Sequence, residues 1–170
     1  PSGEVVRGPV WPGLAAFSDF TDPKARAWWG EKLKGFLEMG VAGLWLDMNE
    51  PALFAAWGEP TLPASARHAL EGQGGDHRLA HNLYGLLMAR ASWEGFRKHA
   101  PERRPFLLTR SGHAGVQRYA WAWTGAVEST WEGLRTTLRA LLGLSLSGVY
   151  FVGSDIGGFS GNPSPELYLR

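Results

Sequence analysis

Along the chain, stretches of helical periodicity alternate with short runs that are apolar almost without a break. Residues 21–40, TDPKARAWWGEKLKGFLEMG, bring Trp28, Leu33, Phe36 and Leu37 roughly onto one face. Thr21 or Asp22 can cap the start, Pro23 suits the first turn and Gly40 ends the pattern, so the segment predicts a helix. Residues 78–100 predict a second helix, with Leu83, Leu86, Leu87, Ala91 and Trp93 broadly periodic. Residues 129–148 predict a third, capped by Ser129 or Thr130. The apolar runs are VAGLWLDM (41–48), RPFLLTRSG (104–112), YAWAWTGAV (119–127) and GVYFVGSDIGGF (148–159). Each predicts a strand, and continuous apolarity predicts burial on both faces. Residues 1–21 and 55–77, rich in Pro, Gly and small side chains, are expected to be loops.

Strands that alternate with helices predict a parallel sheet. An open nucleotide-binding sheet needs a glycine-rich turn after its first strand. EGQGGD follows no strand, and GSDIGGFSG has neither the phosphate-loop spacing nor its lysine. The expected class is therefore α/β, part of a (β/α)8 TIM barrel with about four βα units. Four strands cannot close such a barrel. The chain also begins without Met and ends in a helix-like SPELYLR. Residues 1–170 are thus read as the central portion of a longer catalytic domain.

Chemistry gathers where the apolar runs end. Asp47, Met48, Asn49 and Glu50 follow the first, Arg110 the second, Trp123 lies in the third, and Asp155 and Phe159 close the fourth. A carboxylate at the edge of a core costs desolvation energy unless something uses it. His77 and His81 are four apart but lack a third ligand, so they are read as polar surface and no metal is expected. RSGHAG is not a nucleophile elbow. With 17 Lys and Arg against 16 Asp and Glu, charge points neither to nucleic acid nor to an anionic membrane. No run reaches membrane-spanning length, and PSGEVVRGPV is not a signal peptide. Cysteine is absent, which removes disulfides, thiolate metal sites and thiol nucleophiles and fits a cytoplasmic protein. Nine tryptophans offer flat rings that suit sugars, although Trp28 and Trp29, at a helix start, are read as core. Carboxylates beside aromatic platforms are the set that glycoside hydrolysis needs.

The same residues carry a resemblance. GLWLDMNEP, HNLYG, LLTRSGHAGVQRYAWAWTG and GSDIGGFSG, in that order, resemble glycoside hydrolase family 31, the α-glucosidase and α-xylosidase family. The likeness runs from VWPG and DFTDPKARAWW onward. It implies a (β/α)8 catalytic domain and retaining hydrolysis of α-linked glucose from oligosaccharides, with no cofactor; a homo-oligomer stays open. It implies Asp47 as nucleophile and Arg110 as a contact to the sugar beside the scissile bond. Trp45, Met48, Trp123 and Phe159 are implied to line the pocket, with Asp155 at its floor, binding Arg110 or a sugar hydroxyl. Glu50, three residues from Asp47, is read as a supporting residue that hydrogen-bonds its neighbours, with a second catalytic acid as the alternative; Asn49 is read as a hydrogen-bonding support, and Asp19 and Asp22 as loop and cap residues.

One position departs from the pattern. The family's acid/base is the Asp of W-x-G-D, and this chain has Ala126 there, in WTGA. Three readings are open. A deliberate Asp→Ala change is favoured, because the neighbouring motif residues are intact. A natural pseudoenzyme would bind sugar without cleaving it. Glu128 could substitute, but a charge at a helix N-terminus is its better reading. α-Xylosidase or sulfoquinovosidase specificity is a further alternative, decided by contacts at C6.

Overall fold

The structure, a computed structural model, describes residues 3–54 and 60–170. Its centre is a four-stranded parallel sheet. Two short strands, β1 (Arg7–Val10) and β2 (Gly13–Ala16), form an antiparallel hairpin ahead of it. Helix α1 (Pro23–Glu38) follows, then β3 (Gly43–Leu46). A small antiparallel pair, β4 (Arg67–His68) and β5 (Gly75–Asp76), precedes α2 (His77–His99). Then come β6 (Phe106–Thr109), β7 (Trp121–Trp123), α3 (Trp131–Leu146), β8 (Val152–Gly153) and α4 (Pro165–Leu169). The sheet runs β3-β6-β7-β8, every neighbour parallel and in chain order. Consecutive parallel strands, with α2 and α3 in two of the connections and only a short turn at Val116–Arg118 between β6 and β7, form an arc of a (β/α)8 barrel.

Local chemistry starts and stops the helices where the sequence predicts. Asp22 accepts from the Lys24 N–H with Pro23 in the first turn, and Thr130 accepts from Gly133 N–H at the start of α3. Each side-chain oxygen satisfies a donor that has no partner inside the helix. On α1 the buried positions are Arg26, Gly30, Leu33 and Leu37, a three-to-four spacing that makes one face. Leu33 and Leu37 join Leu46, Ala89, Phe96 and Leu107 in the main core, between the helices and the convex side of the sheet. The α1–α2 contact is close because glycine faces glycine. A Cβ built on Gly95 would lie 2.6 Å from Gly30 Cα. Any side chain there would force the helices apart.

Three expectations change. The first 21 residues are not all loop: Arg7–Ala16 pair as the hairpin, and Pro9 O accepts from Phe54 N–H at 2.8 Å. The expected loop at 55–77 includes β4 and β5, while its residues 55–59 lie outside the described ones. Trp28 and Phe36 are exposed, because the helix turns only the Leu33/Leu37 stripe inward. Trp29 alone of the tryptophan pair packs, against Phe20, with its indole N–H donated to Ser92 Oγ at 2.9 Å.

The concave side of the sheet is uncovered. Trp45, Phe106, Trp121 and Phe151 all stand exposed, although they lie in the centre of a parallel sheet or beside it. A parallel sheet normally hides both faces. Four strands supply half the staves of a (β/α)8 barrel, so this inner wall has no opposite wall among the described residues.

Candidate active site

Register decides what meets at the mouth of this arc. Leu46 pairs with Thr109, Thr109 with Ala122, and Trp123 with Gly153. The residues that follow each pair leave the same edge of the sheet, its carboxyl edge. Asp47, Arg110, Ala126 and Asp155 therefore converge from four separate segments on a cavity of about 600 Å³. Trp45, Trp123 and Phe159 line it as well. The Trp45 and Trp123 ring centres are 5.7 Å apart.

Arg110 is the electrostatic centre. Its Nε and one terminal nitrogen donate to the two oxygens of Glu50, each at 2.9 Å, and the other terminal nitrogen lies 3.0 Å from Asp47 Oδ1. The Glu50 hydrogen bonds raise the Arg110 pKa above its ordinary value, with the charges of Glu50 and Asp47 adding and burial opposing. Glu50 thus takes one edge of the guanidinium, and Asp47 meets the remaining terminal nitrogen. Asp47 Oδ1 also accepts from Met48 N–H at 2.8 Å.

Support lies directly behind. Asn49, fully buried, donates to Thr109 Oγ1 at 2.8 Å and accepts from Ser111 N–H at 3.0 Å. It ties the exit of β3 to the exit of β6, and so ties Asp47 to Arg110. Met48 between them has φ of 54°, a left-handed conformation that costs a side-chain-bearing residue about 1–3 kcal/mol. Strain of this kind is held only where neighbours over-determine the backbone, and here the Asn49 anchors do so.

Met48, expected in the pocket wall, is not among the residues that line the cavity, and its backbone is left-handed with φ of 54°. Asp155 does line it, but Arg110 is held by Asp47 and Glu50 instead, so no Asp155–Arg110 pair forms. Glu128 is exposed and opens onto a separate cavity beside α3 with Leu134 and Thr137. It does not face the aromatic cavity that Ala126 lines. The residues that sequence reasoning missed are Trp11, Trp121, Tyr150 and Phe151, all in the wall. Period-two alternation, counted back from Trp123 and Gly153, was the available signal for Trp121 and Phe151; Trp11, in the β1–β2 turn, and Tyr150, of the other parity, carried none.

A second polar cluster overturns the reading of His77 as surface. His77 is buried, with its ring stacked on His68 at 5.1 Å and His81 set edge-on at 5.3 Å. His68 Nδ1 lies 3.0 Å from Asp19 Oδ1, His68 Nε2 lies 3.0 Å from His77 Nδ1, and His77 Nε2 lies 3.3 Å from Thr61 Oγ1. Asp19 also accepts from the Thr21 hydroxyl and N–H and from Ala69 N–H. These bonds outweigh its burial and hold its carboxyl well below the usual carboxylate range. Burial is the main cause that pushes His77 down to about 4; the charges of His68 and His81 add, and Asp76 opposes.

That shift has a sign. Above pH 6.5 His77 is neutral folded or unfolded and pH has no effect through it. Between pH 6.5 and 4 only the unfolded chain takes the proton, so stability drops as pH is lowered, by up to about 3 kcal/mol. Asp19 stays ionised through this window and contributes no loss there. Urea unfolding at pH 7, 5.5 and 4 is expected to show the decline, and His77→Gln is expected to flatten it; an equal slope in both proteins excludes His77 as its source.

The chain is similar to known proteins along its whole length. The model of the glycosyl hydrolases family 31 TIM-barrel domain matches residues 1–170. The chain is 46% identical over 168 residues to alpha-glucosidase 2 of Bacillus thermoamyloliquefaciens, covering 99% of this chain and 21% of that protein. A family 31 alpha-glucosidase from Bacteroides thetaiotaomicron superposes with a TM-score of 0.82 at 43% identity, over 98% of this chain and 26% of that one. A Flavobacterium johnsoniae GH31 dextranase, solved as an Asp→Ala mutant complexed with isomaltotriose, superposes with a TM-score of 0.86 at 30% identity, over 99% of this chain and 21% of that one. The chain spans about a fifth to a quarter of the length of the curated relatives it matches.

Proposed function

The chain belongs to glycosyl hydrolase family 31, and on that footing we propose that it carries the active-site half-barrel of a retaining α-glucosidase. The substrate is a terminal, non-reducing α-linked glucose of an oligosaccharide. The observation that carries the reading is the Asp47 carboxylate, delivered by β3 into an aromatic-walled cavity and held 3.0 Å from Arg110.

Asp47 attacks the anomeric carbon from the face opposite the leaving oxygen. The bond to that oxygen breaks, and a covalent glucosyl ester of inverted configuration forms. Water then attacks the same carbon from the first face, displacing Asp47 and restoring the α configuration. Arg110 keeps Asp47 oriented while Glu50 holds Arg110. Trp123, Trp45 and Phe159 supply ring faces for the sugar, and Asp155 supplies a hydroxyl acceptor.

The leaving oxygen needs a proton in the first step, and the water must lose one in the second. Position 126 is where a carboxyl would do both, about 5–5.5 Å from Asp47 as retention requires. Alanine can do neither. We read Ala126 as an acid/base-deficient form of the enzyme, in which the nucleophile side is complete. A GH31 dextranase carrying an Asp→Ala change, solved in complex with isomaltotriose, supports the view that a family member lacking one aspartate can hold a sugar ligand. A sugar-binding pseudoenzyme is the second reading, favoured by Ala126 alone.

A glucosyl donor whose leaving group needs no proton separates the two. Treated with 5-fluoro-α-glucosyl fluoride, the protein is expected to gain one fluoroglucosyl group. Peptide mass spectrometry should place it on the fragment containing Asp47. An unmodified protein, or a sugar on another residue, removes the nucleophile assignment and leaves the binding-only reading.

A further inference from the structure

Ala126 lines two cavities. One is the aromatic cavity that Asp47 enters; the other, of about 520 Å³, excludes Asp47 and is lined by Glu50, Thr61, His81, Arg110 and Thr124. An acid/base group must reach the oxygen of the bond being broken, and that oxygen has a sugar on one side and a leaving group on the other. The cavity with the nucleophile takes the sugar. The second cavity shares Arg110 and position 126 with the first but lacks the nucleophile, and it is the other space that position 126 borders.

The polar lining of this second chamber is already arranged. Both Glu50 oxygens are occupied by Arg110, and Thr61 Oγ1 is 3.3 Å from the buried His77. His81 is different. Its Nδ1 lies 3.0 Å from Asn82 Oδ1, a carboxamide oxygen that only accepts, so Nδ1 carries the hydrogen. In the neutral ring, Nε2 then keeps its lone pair as an acceptor. The ring cannot swing freely, since it stands edge-on against His77, which is stacked on His68 and anchored through it to Asp19.

We infer that the chamber behind position 126 receives the leaving group, and that His81, braced by the Asp19–His68–His77 chain, selects a leaving group that presents a hydroxyl to it. His81 is a specificity residue in contact with the departing alcohol; His77 and His68 are positioning residues that act through it. The inference deepens the α-glucosidase reading and rests on it.

The Ala126 protein permits a direct test, because alanine cannot protonate the leaving oxygen and the substrate should stay intact during the measurement. Dissociation constants of maltose and of methyl α-glucoside are measured by calorimetry for the full-length polypeptide and for His81→Ala and His81→Gln. Methyl α-glucoside fills the sugar side and puts only a methyl group beyond the bond. Loss of one neutral hydrogen bond predicts maltose binding weakened by about 3–10-fold in His81→Ala. Methyl α-glucoside binding should stay unchanged, which also reports an intact fold. His81→Gln, whose carboxamide reaches the Nε2 position, should recover most of the loss. Equal weakening of both ligands, or of neither, overturns the role of His81 while leaving the α-glucosidase reading in place. A parent protein that binds neither sugar overturns that reading and this one with it.

Discussion

Ala126→Asp is expected to raise turnover of maltose by about 10²–10⁴-fold, the usual contribution of one positioned general acid and base. The gain must depend on the leaving group. A glucose leaving group is a poor anion and departs only as it is protonated, so its bond cleavage gains most. A nitrophenolate departs without a proton, and the first step with an aryl α-glucoside should gain little. Its second step still needs a base for water, so turnover with the aryl substrate should become limited by hydrolysis of the ester in the Ala126 protein. Steady-state rates with maltose and nitrophenyl α-glucoside, before and after the substitution, give the comparison. Added azide supplies a nucleophile that needs no base, and on the proposed reading the small side chain of Ala126 leaves it room on the leaving-group side. The Ala126 protein is expected to form α-glucosyl azide, by two inversions. Equal gains with both substrates, or no azide product, remove position 126 from proton transfer.

Much of this site was legible because its signals are local. A carboxylate, an arginine and an aromatic each sit at the end of an apolar run, and parallel strands of one sheet put such ends along one edge. Asp47, Arg110, Trp123 and Asp155 needed no more than that. The wall residues Trp121 and Phe151 were harder: a strand apolar on both faces hides its own alternation, and only the register of Ala122 with Val152 assigns them a side. Met48 is absent from the lining, and nothing in its side chain announces the left-handed φ before Asn49. The histidine cluster was invisible for a topological reason. Asp19 and His68 stand 49 residues apart, and His68 with His77 meets only when the β4–β5 pair folds back beside α2. Spacing along a helix described His77 and His81 correctly and said nothing about what covers them.

Asp47→Ala, made in the Ala126→Asp background, is expected to lower kcat on maltose by about 10⁴–10⁶-fold, the range in which removal of a catalytic nucleophile or its partner falls. The loss should come without unfolding. Arg110 keeps both hydrogen bonds to Glu50, and Asp47 is partly open to solvent, so its pair contributes no more than about 1 kcal/mol to stability. A thermal melt close to that of the parent therefore belongs to the prediction. Stereochemistry then identifies which carboxyl is gone. With a carboxyl restored at position 126 to protonate the leaving group, and Asp47 absent, azide enters from the vacated nucleophile side and displaces the alcohol once, giving β-glucosyl azide. The Ala126 protein, which retains Asp47, is expected to give the α anomer through the ester. Opposite anomers from the two variants require two carboxyl positions on opposite faces of one sugar. The same anomer from both contradicts that arrangement, and with it the retaining mechanism built on Asp47.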